Sequence, residues 1–141
     1  MRLVAIAACL AAGLASVTAR ADEPIVIKFS HVVAPDTPKG KAALKLMQLA
    51  EERTHGRVKV EVYPNSQLYK DKEELEALQL GAVEMLAPSV SKFGPLGIKE
   101  FESFDLPYIF PLVDALRRIS DGPIGKSLFA KLEPKGTIGL A

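Results

Sequence analysis

Three apolar runs, at residues 25–29, 58–62 and 83–87, alternate with two stretches of helical periodicity. This alternation limits the fold more than any other feature. Strand, helix, strand, helix, strand is the pattern of a parallel sheet with helices on its faces, because parallel neighbours need a crossover between them. Ile25-Val26-Ile27-Lys28-Phe29 has the β-branched content of a strand buried on both faces. Thr37 offers an N-cap oxygen and Pro38 suits a first helical position. Ala43, Leu46, Met47 and Ala50 then recur at helical spacing, and Gly56 lies where a C-terminal cap belongs. In the second run Val58, Val60 and Val62 alternate with Lys59 and Glu61, and Pro64 closes the strand. Asp71-Lys72-Glu73-Glu74 reads as a capping box opening a helix whose apolar face is Leu75, Leu78 and Ala82. The third run stops at Pro88.

Residues 92–110 read as a loop, broken by Gly94, Pro95, Gly97 and Pro107 yet rich in aromatics. Pro111 opens a helix through Ile119, a further helix covers about 122–132, and 137–141 begins a strand. Ligands of open α/β sheets bind beyond the carboxyl ends of the strands. Segments 30–39, 63–71 and 87–93 are therefore expected to meet at one edge.

Upstream of this pattern, residues 1–21 combine Arg2, a 15-residue apolar stretch from 3 to 17, and small residues at Ala19 and Ala21. That is the layout of a secretory signal peptide cleaved before Asp22. The stretch is shorter than the roughly 20 residues that a membrane span needs. Cys9, the one cysteine, leaves with it, so the exported part, 22–141, has no disulfide. Taking Arg2 and Arg20 from the 18 basic residues leaves 16 against 17 acidic ones, a net charge of −1. That balance, with no basic stripe, argues against a nucleic-acid partner. A hydrophobic fraction of 48% with 25% charged residues is that of a globular domain rather than a disordered chain.

Motifs for catalysis and cofactors fail on spacing. Gly122-Pro123-Ile124-Gly125-Lys126-Ser127 resembles a phosphate loop, but two residues separate the glycines where four are required. A turn feeding a helix accounts for it. His31 and His55 are 24 residues apart, with no metal-ligand spacing around either. No Gly-x-Ser-x-Gly elbow is present. Glu73, Glu74 and Glu76 read as helix-surface charges, Glu100 and Glu102 as a solvated pair, and Phe101, Phe104 and Tyr108 as anchors of their loop. No catalytic residue, metal site or cofactor is expected. One segment does suit a ligand: Pro38-Lys39-Gly40 opens a helix just past the first strand. There the helix dipole, the Lys39 charge and a glycine allowing close approach favour a small carboxylate.

The run Ile27-Lys28-Phe29-Ser30-His31-Val32-Val33-Ala34, with Thr37-Pro38-Lys39-Gly40, resembles the opening of the solute receptors of tripartite ATP-independent periplasmic (TRAP) transporters. The resemblance continues through Tyr63-Pro64-Asn65-Ser66-Gln67-Leu68, through Glu76-Ala77-Leu78-Gln79-Leu80-Gly81, and into Leu106-Pro107-Tyr108. It looks closest to the C4-dicarboxylate (DctP-type) branch and spans 25–141. The resemblance implies an α/β periplasmic-binding-protein-type fold, of which 22–141 would be the first lobe, truncated before the second. It implies a periplasmic receptor that passes a small carboxylate to TRAP permease membrane subunits, without catalysis. The family's usual carboxylate anchor, a second-lobe arginine, would lie past Ala141. Carried over by position, first-lobe contacts fall at His31 and Val32, Lys39, Asp71, and Pro88 and Ser89. Lys39 would be the charge partner, with hydrogen bonds from Ser89 and His31. Half a cleft implies weak affinity, since ligand sites commonly bury roughly 70–90% of the ligand surface. A secreted hydrolase using His31, or an adaptor docking through the aromatic segment 101–110, are the alternatives.

Overall fold

A computed structural model describes residues 23–140; the expected signal peptide, with Cys9, lies outside the described residues. The order is β1 (Ile25–Ser30), α1 (Pro38–Arg53), β2 (Val58–Tyr63), α2 (Glu74–Gln79) and β3 (Met85–Leu86). Two 3-10 helices, Val90–Leu96 and Lys99–Asp105, lead to α3 (Val113–Ser120), α4 (Pro123–Ala130) and a 3-10 turn at Glu133–Lys135. The sheet runs β2-β1-β3, parallel throughout. Ile25 to Ser30 pair with Val58 to Tyr63, and Phe29 and Ser30 pair with Met85 and Leu86. This is the parallel, helix-flanked sheet that the alternation predicts.

Side-chain period explains the first core. Ile27 and Phe29 of β1 and Val58, Val60 and Val62 of β2 share one face, and α1 lays Ala43, Met47 and Ala50 across it. Thr37 caps α1 by accepting from the Gly40 N–H at 3.2 Å, while its hydroxyl donates to the Ala34 carbonyl at 2.7 Å. Gly40 is required here, because a Cβ would stand 2.3 Å from the Ala34 oxygen. The second core gathers Phe93, Ile98, Phe101, Leu128 and Leu132. Phe101 is fully buried at its centre, with ring centroids 5.3 Å from Phe93 and 5.9 Å from Phe129.

Several local expectations are corrected. β1 is not buried on both faces: Ile25, at the open start of the strand, and Val26, on the face turned away from α1, are exposed. β3 is two residues rather than five, and the Glu84 carboxylate substitutes for a ladder acceptor, taking the Lys28 N–H at 2.8 Å. Segment 92–110 is not a plain loop. It folds as two 3-10 helices broken at Gly97, whose φ of 89° needs glycine. Phe101 anchors it, whereas Tyr108 is 98% exposed. Residues 137–140 form no strand; the Thr137 N–H closes the preceding turn onto the Leu132 carbonyl, and the Phe129 ring packs on Gly139.

Phe101→Ala should therefore lower stability by about 3–5 kcal/mol. Leu112→Ala, at an exposed position, should stay within about 0.5 kcal/mol of the parent. Urea midpoints of the two variants, compared at equal slope, check this contrast.

Candidate functional site

The carboxyl ends of the strands bring the three expected segments together. Leaving β1, the His31 N–H donates to Tyr63 O at 3.0 Å and the His31 carbonyl accepts from Ser66 N at 3.2 Å. Asn65 N donates to Val33 O at 3.1 Å. Asn65 and Ser66 are both left-handed, with φ of 55° and 56°, which turns the chain back toward β1. From α1, the Lys39 ammonium donates to the Ala87 carbonyl at 2.8 Å, tying the helix start to the exit of β3. Lys92, just beyond β3, pairs with Asp71 just before α2.

Each predicted site residue has a definite place. Lys39 is half-buried and keeps two of its three N–H donors after bonding Ala87. Ser89 is exposed and begins the first 3-10 helix without a side-chain cap bond, so its hydroxyl is uncommitted. Asp71 is engaged by Lys92. His31 is fully buried, its ring edge-on to Phe29 at 6.0 Å, and neither ring nitrogen has a hydrogen-bond partner. Burial, opposed by the nearby Val33 backbone and helped by the charge of Lys39, holds its imidazole below the usual pKa of 6.5. Val32 and Pro88, flanking these groups, are half-buried. One expectation about the helix start is corrected. The close approach at Gly40 is made by the chain's own Ala34 and Pro35, and its N–H is taken by Thr37. What α1 offers an anion is therefore chiefly the Lys39 side chain.

The sequence reading missed Glu74. It is not a surface charge but 1% exposed, and Glu73 precedes the helix in its stead, its carboxylate accepting from Lys70 N. Glu74 Oε1 accepts from the Ser30 hydroxyl at 3.2 Å, and Oε2 has no partner. Burial pushes its pKa up, and the nearby Asp71 charge adds to this, against the Ser30 hydrogen bond and the charges of Lys39 and Lys92. The one sequence signal was its spacing three residues before buried Ala77, which places both on one face of α2. Glu100 is likewise not simply solvated, since Lys131 donates to it at 2.5 Å.

A groove of about 690 Å³ runs from Lys39 and Pro88 along β3, with Leu46, Leu78, Phe93 and Leu132 among its largely apolar walls. A second hollow, of about 390 Å³ beside Ser120, Asp121 and Lys126, contains none of the predicted site residues. Among the described residues, no three His, Cys, Asp or Glu side chains gather as a metal site. At the glycine pair near 122, Pro123 starts α4 and Gly125 packs against the Ser120 carbonyl, as in a turn feeding a helix.

A parallel sheet whose strand ends converge on an ammonium group is a scaffold for holding a small ligand, and comparison with known proteins places it. The chain belongs to the bacterial extracellular solute-binding protein family 7, whose model matches residues 29–141. It is 71% identical over 119 residues to a C4-dicarboxylate-binding periplasmic protein, DctP, of Rhodobacter capsulatus, covering 84% of this chain and 36% of that protein. A TRAP periplasmic solute binding protein of Pseudomonas aeruginosa PAO1, solved with bound L-malate, superposes with a TM-score of 0.79 at 52% identity; the match covers 84% of this chain and 41% of that one. Another from Shewanella oneidensis, with bound succinate, gives 0.78 at 47% identity, over 84% and 38% of the two chains. The chain thus spans little more than a third of the length of these relatives.

Titration follows from the buried pair. The unfolded chain protonates His31 near 6.5 while the fold resists, so its contribution to stability is lost as pH falls below about 6.5. Glu74 acts oppositely, because the fold favours its neutral form and its contribution is lost as pH rises through the raised value. His31→Gln should therefore lose less stability than the parent between pH 7 and pH 5 in urea melts. Equal losses would show that the imidazole is not held neutral.

Proposed function

We propose that this chain is the part of a TRAP-transporter receptor that offers Lys39 to one carboxylate of a small C4-dicarboxylate such as malate, succinate or fumarate. The carrying observation is the Lys39 ammonium fixed by Ala87 at the carboxyl edge of the sheet, with two donors to spare. Charge-assisted hydrogen bonds of that kind are roughly twice as strong as neutral ones. Ser89, with its exposed free hydroxyl, is the proposed hydrogen-bonding group at the surface; His31, fully buried with two unpartnered ring nitrogens, would reach the ligand only if the edge around it opens, and Asp71 holds Lys92. Support for the ligand class comes from the malate and succinate held by the Pseudomonas and Shewanella relatives. We assign the chain a capturing role rather than a catalytic one, in the periplasm, with delivery to permease membrane subunits. The family's description as extracellular solute binders and the secretory pattern at 1–21 support that assignment.

Lys39 can neutralise one carboxylate of a dianion, and the largely apolar groove beside it adds little for the other. The 141-residue chain should consequently bind malate no tighter than the millimolar range, about 4 kcal/mol. In a two-dimensional NMR titration, amide signals of residues 31, 39 and 89 should move together on adding malate. Lys39→Met should weaken that response by roughly tenfold, as loss of a charge-assisted hydrogen bond implies. A micromolar dissociation constant would contradict the half-cleft reading, and unmoved signals at tens of millimolar malate would contradict the ligand class.

A further inference from the structure

Glu74 has no place in the binding scheme so far, yet it is the most deeply buried carboxyl among the described residues, at 1% exposure. It lies beneath the carboxyl end of β1 with a single hydrogen bond, from Ser30, and an Oε2 that nothing satisfies. A buried carboxylate with an empty oxygen is costly, and a buried neutral carboxyl much less so. The charges that reach Glu74 are Asp71 in the turn before α2, Lys39 from α1, and Lys92 from the 3-10 helix after β3. Ser30 is its contact from β1, and the two residues of β3, Met85 and Leu86, bring no titratable group. Asp71, paired with Lys92, is the strongest charge acting on Glu74 and opposes its ionisation. Lys39 is the larger of the two positive charges that offset this, its ammonium seated on Ala87 next to the Ser30–Leu86 pair.

A ligand carboxylate on Lys39 removes that compensation. We propose that Glu74 takes up a proton from solvent when a small dicarboxylate seats on Lys39, and returns it on release, so that this edge captures the anion and a proton together. The bond formed is O–H at the unpartnered Oε2, with Oε1 still accepting from Ser30; no other bond changes. The coupling is reciprocal: ligand favours protonation, and protonation favours ligand. Affinity should then fall as pH rises, by at most about tenfold per pH unit for one proton. Glu74 is a positioning residue in this scheme, acting through the charge balance and through Ser30 rather than by touching the ligand. The scheme rests on the dicarboxylate reading.

The test is a carbon-13 NMR titration of the Glu74 side-chain carboxyl in the 141-residue chain, with and without tens of millimolar malate. Glu74 is assigned by comparison with Glu74→Gln, which keeps an oxygen to accept from Ser30 and removes the titrating proton. The expected result is a midpoint above that of exposed glutamates, moving upward with malate, and a malate affinity that depends on pH in the parent but much less in Glu74→Gln. Amide signals at 31, 39 and 89 that respond to malate while the Glu74 midpoint stays fixed would overturn the proton coupling and leave the ligand class standing. Equal pH dependence of affinity in parent and Glu74→Gln would overturn it too. Absence of any amide response would remove the dicarboxylate reading and the coupling with it.

Discussion

Parallel pairing of β1 with both neighbours is the constraint from which the rest of the molecule follows. A parallel partner can be reached only by a crossover, so α1 and α2 must each carry the chain back across the sheet. Every strand therefore exits at the same edge. Residues from separate parts of the chain, His31, Asn65 and Ala87, meet there because of this pairing, with no sequence motif required. The backbone hydrogen bonds of His31 to Tyr63 and Ser66 extend the pairing one step past the strands. They make the edge a continuation of the sheet rather than a set of independent loops.

On that edge the balance of charge matters more than any single contact. Five ionisable groups lie together: His31, Lys39, Lys92, Asp71 and Glu74. The surface pair Lys92–Asp71 contributes little to stability, as partly exposed ion pairs generally do. It occupies Lys92, so that Lys39 is the ammonium with donors to spare at this edge. Glu74 sits below, shielded from water, where a change of charge at Lys39 is felt through a medium of lower dielectric. The proposed site would select for negative charge and small size before any particular carbon skeleton.

The sequence made much of this legible, and the failures have physical causes. β1, β2 and α1 were readable because period-two and helical spacing, with Thr37 and Pro38 as punctuation, leave few alternatives. The convergence of three segments followed from topology alone. Glu74 was misread because the capping-box spacing from Asp71 is a local rule, while burial beneath Ser30 is a tertiary one, joining positions 44 apart in the chain. β3 was overestimated because an apolar run marks what is buried, not what is paired. Segment 92–110 looked like a loop since glycine and proline forbid a long α-helix; they do not forbid short 3-10 turns held by Phe101. The strand expected at 137–141 has the right residues, but pairing needs a neighbour, and the Leu132 carbonyl had already claimed the Thr137 N–H.

The Glu84 carboxylate that stands in for a backbone acceptor on Lys28 has a mechanical meaning. A strand zipped by a full ladder moves only by breaking several bonds in concert. β3 is instead fastened by two paired residues, by the Glu84 N–H donating to the Lys28 carbonyl at 3.3 Å, and by the Glu84 carboxylate, a side-chain tether with rotatable joints. Ala87, which holds Lys39, and Ser89 both ride on its exit. Any shift of β3 would thus carry Ala87 and Ser89 together, moving one side of the proposed binding edge against the other.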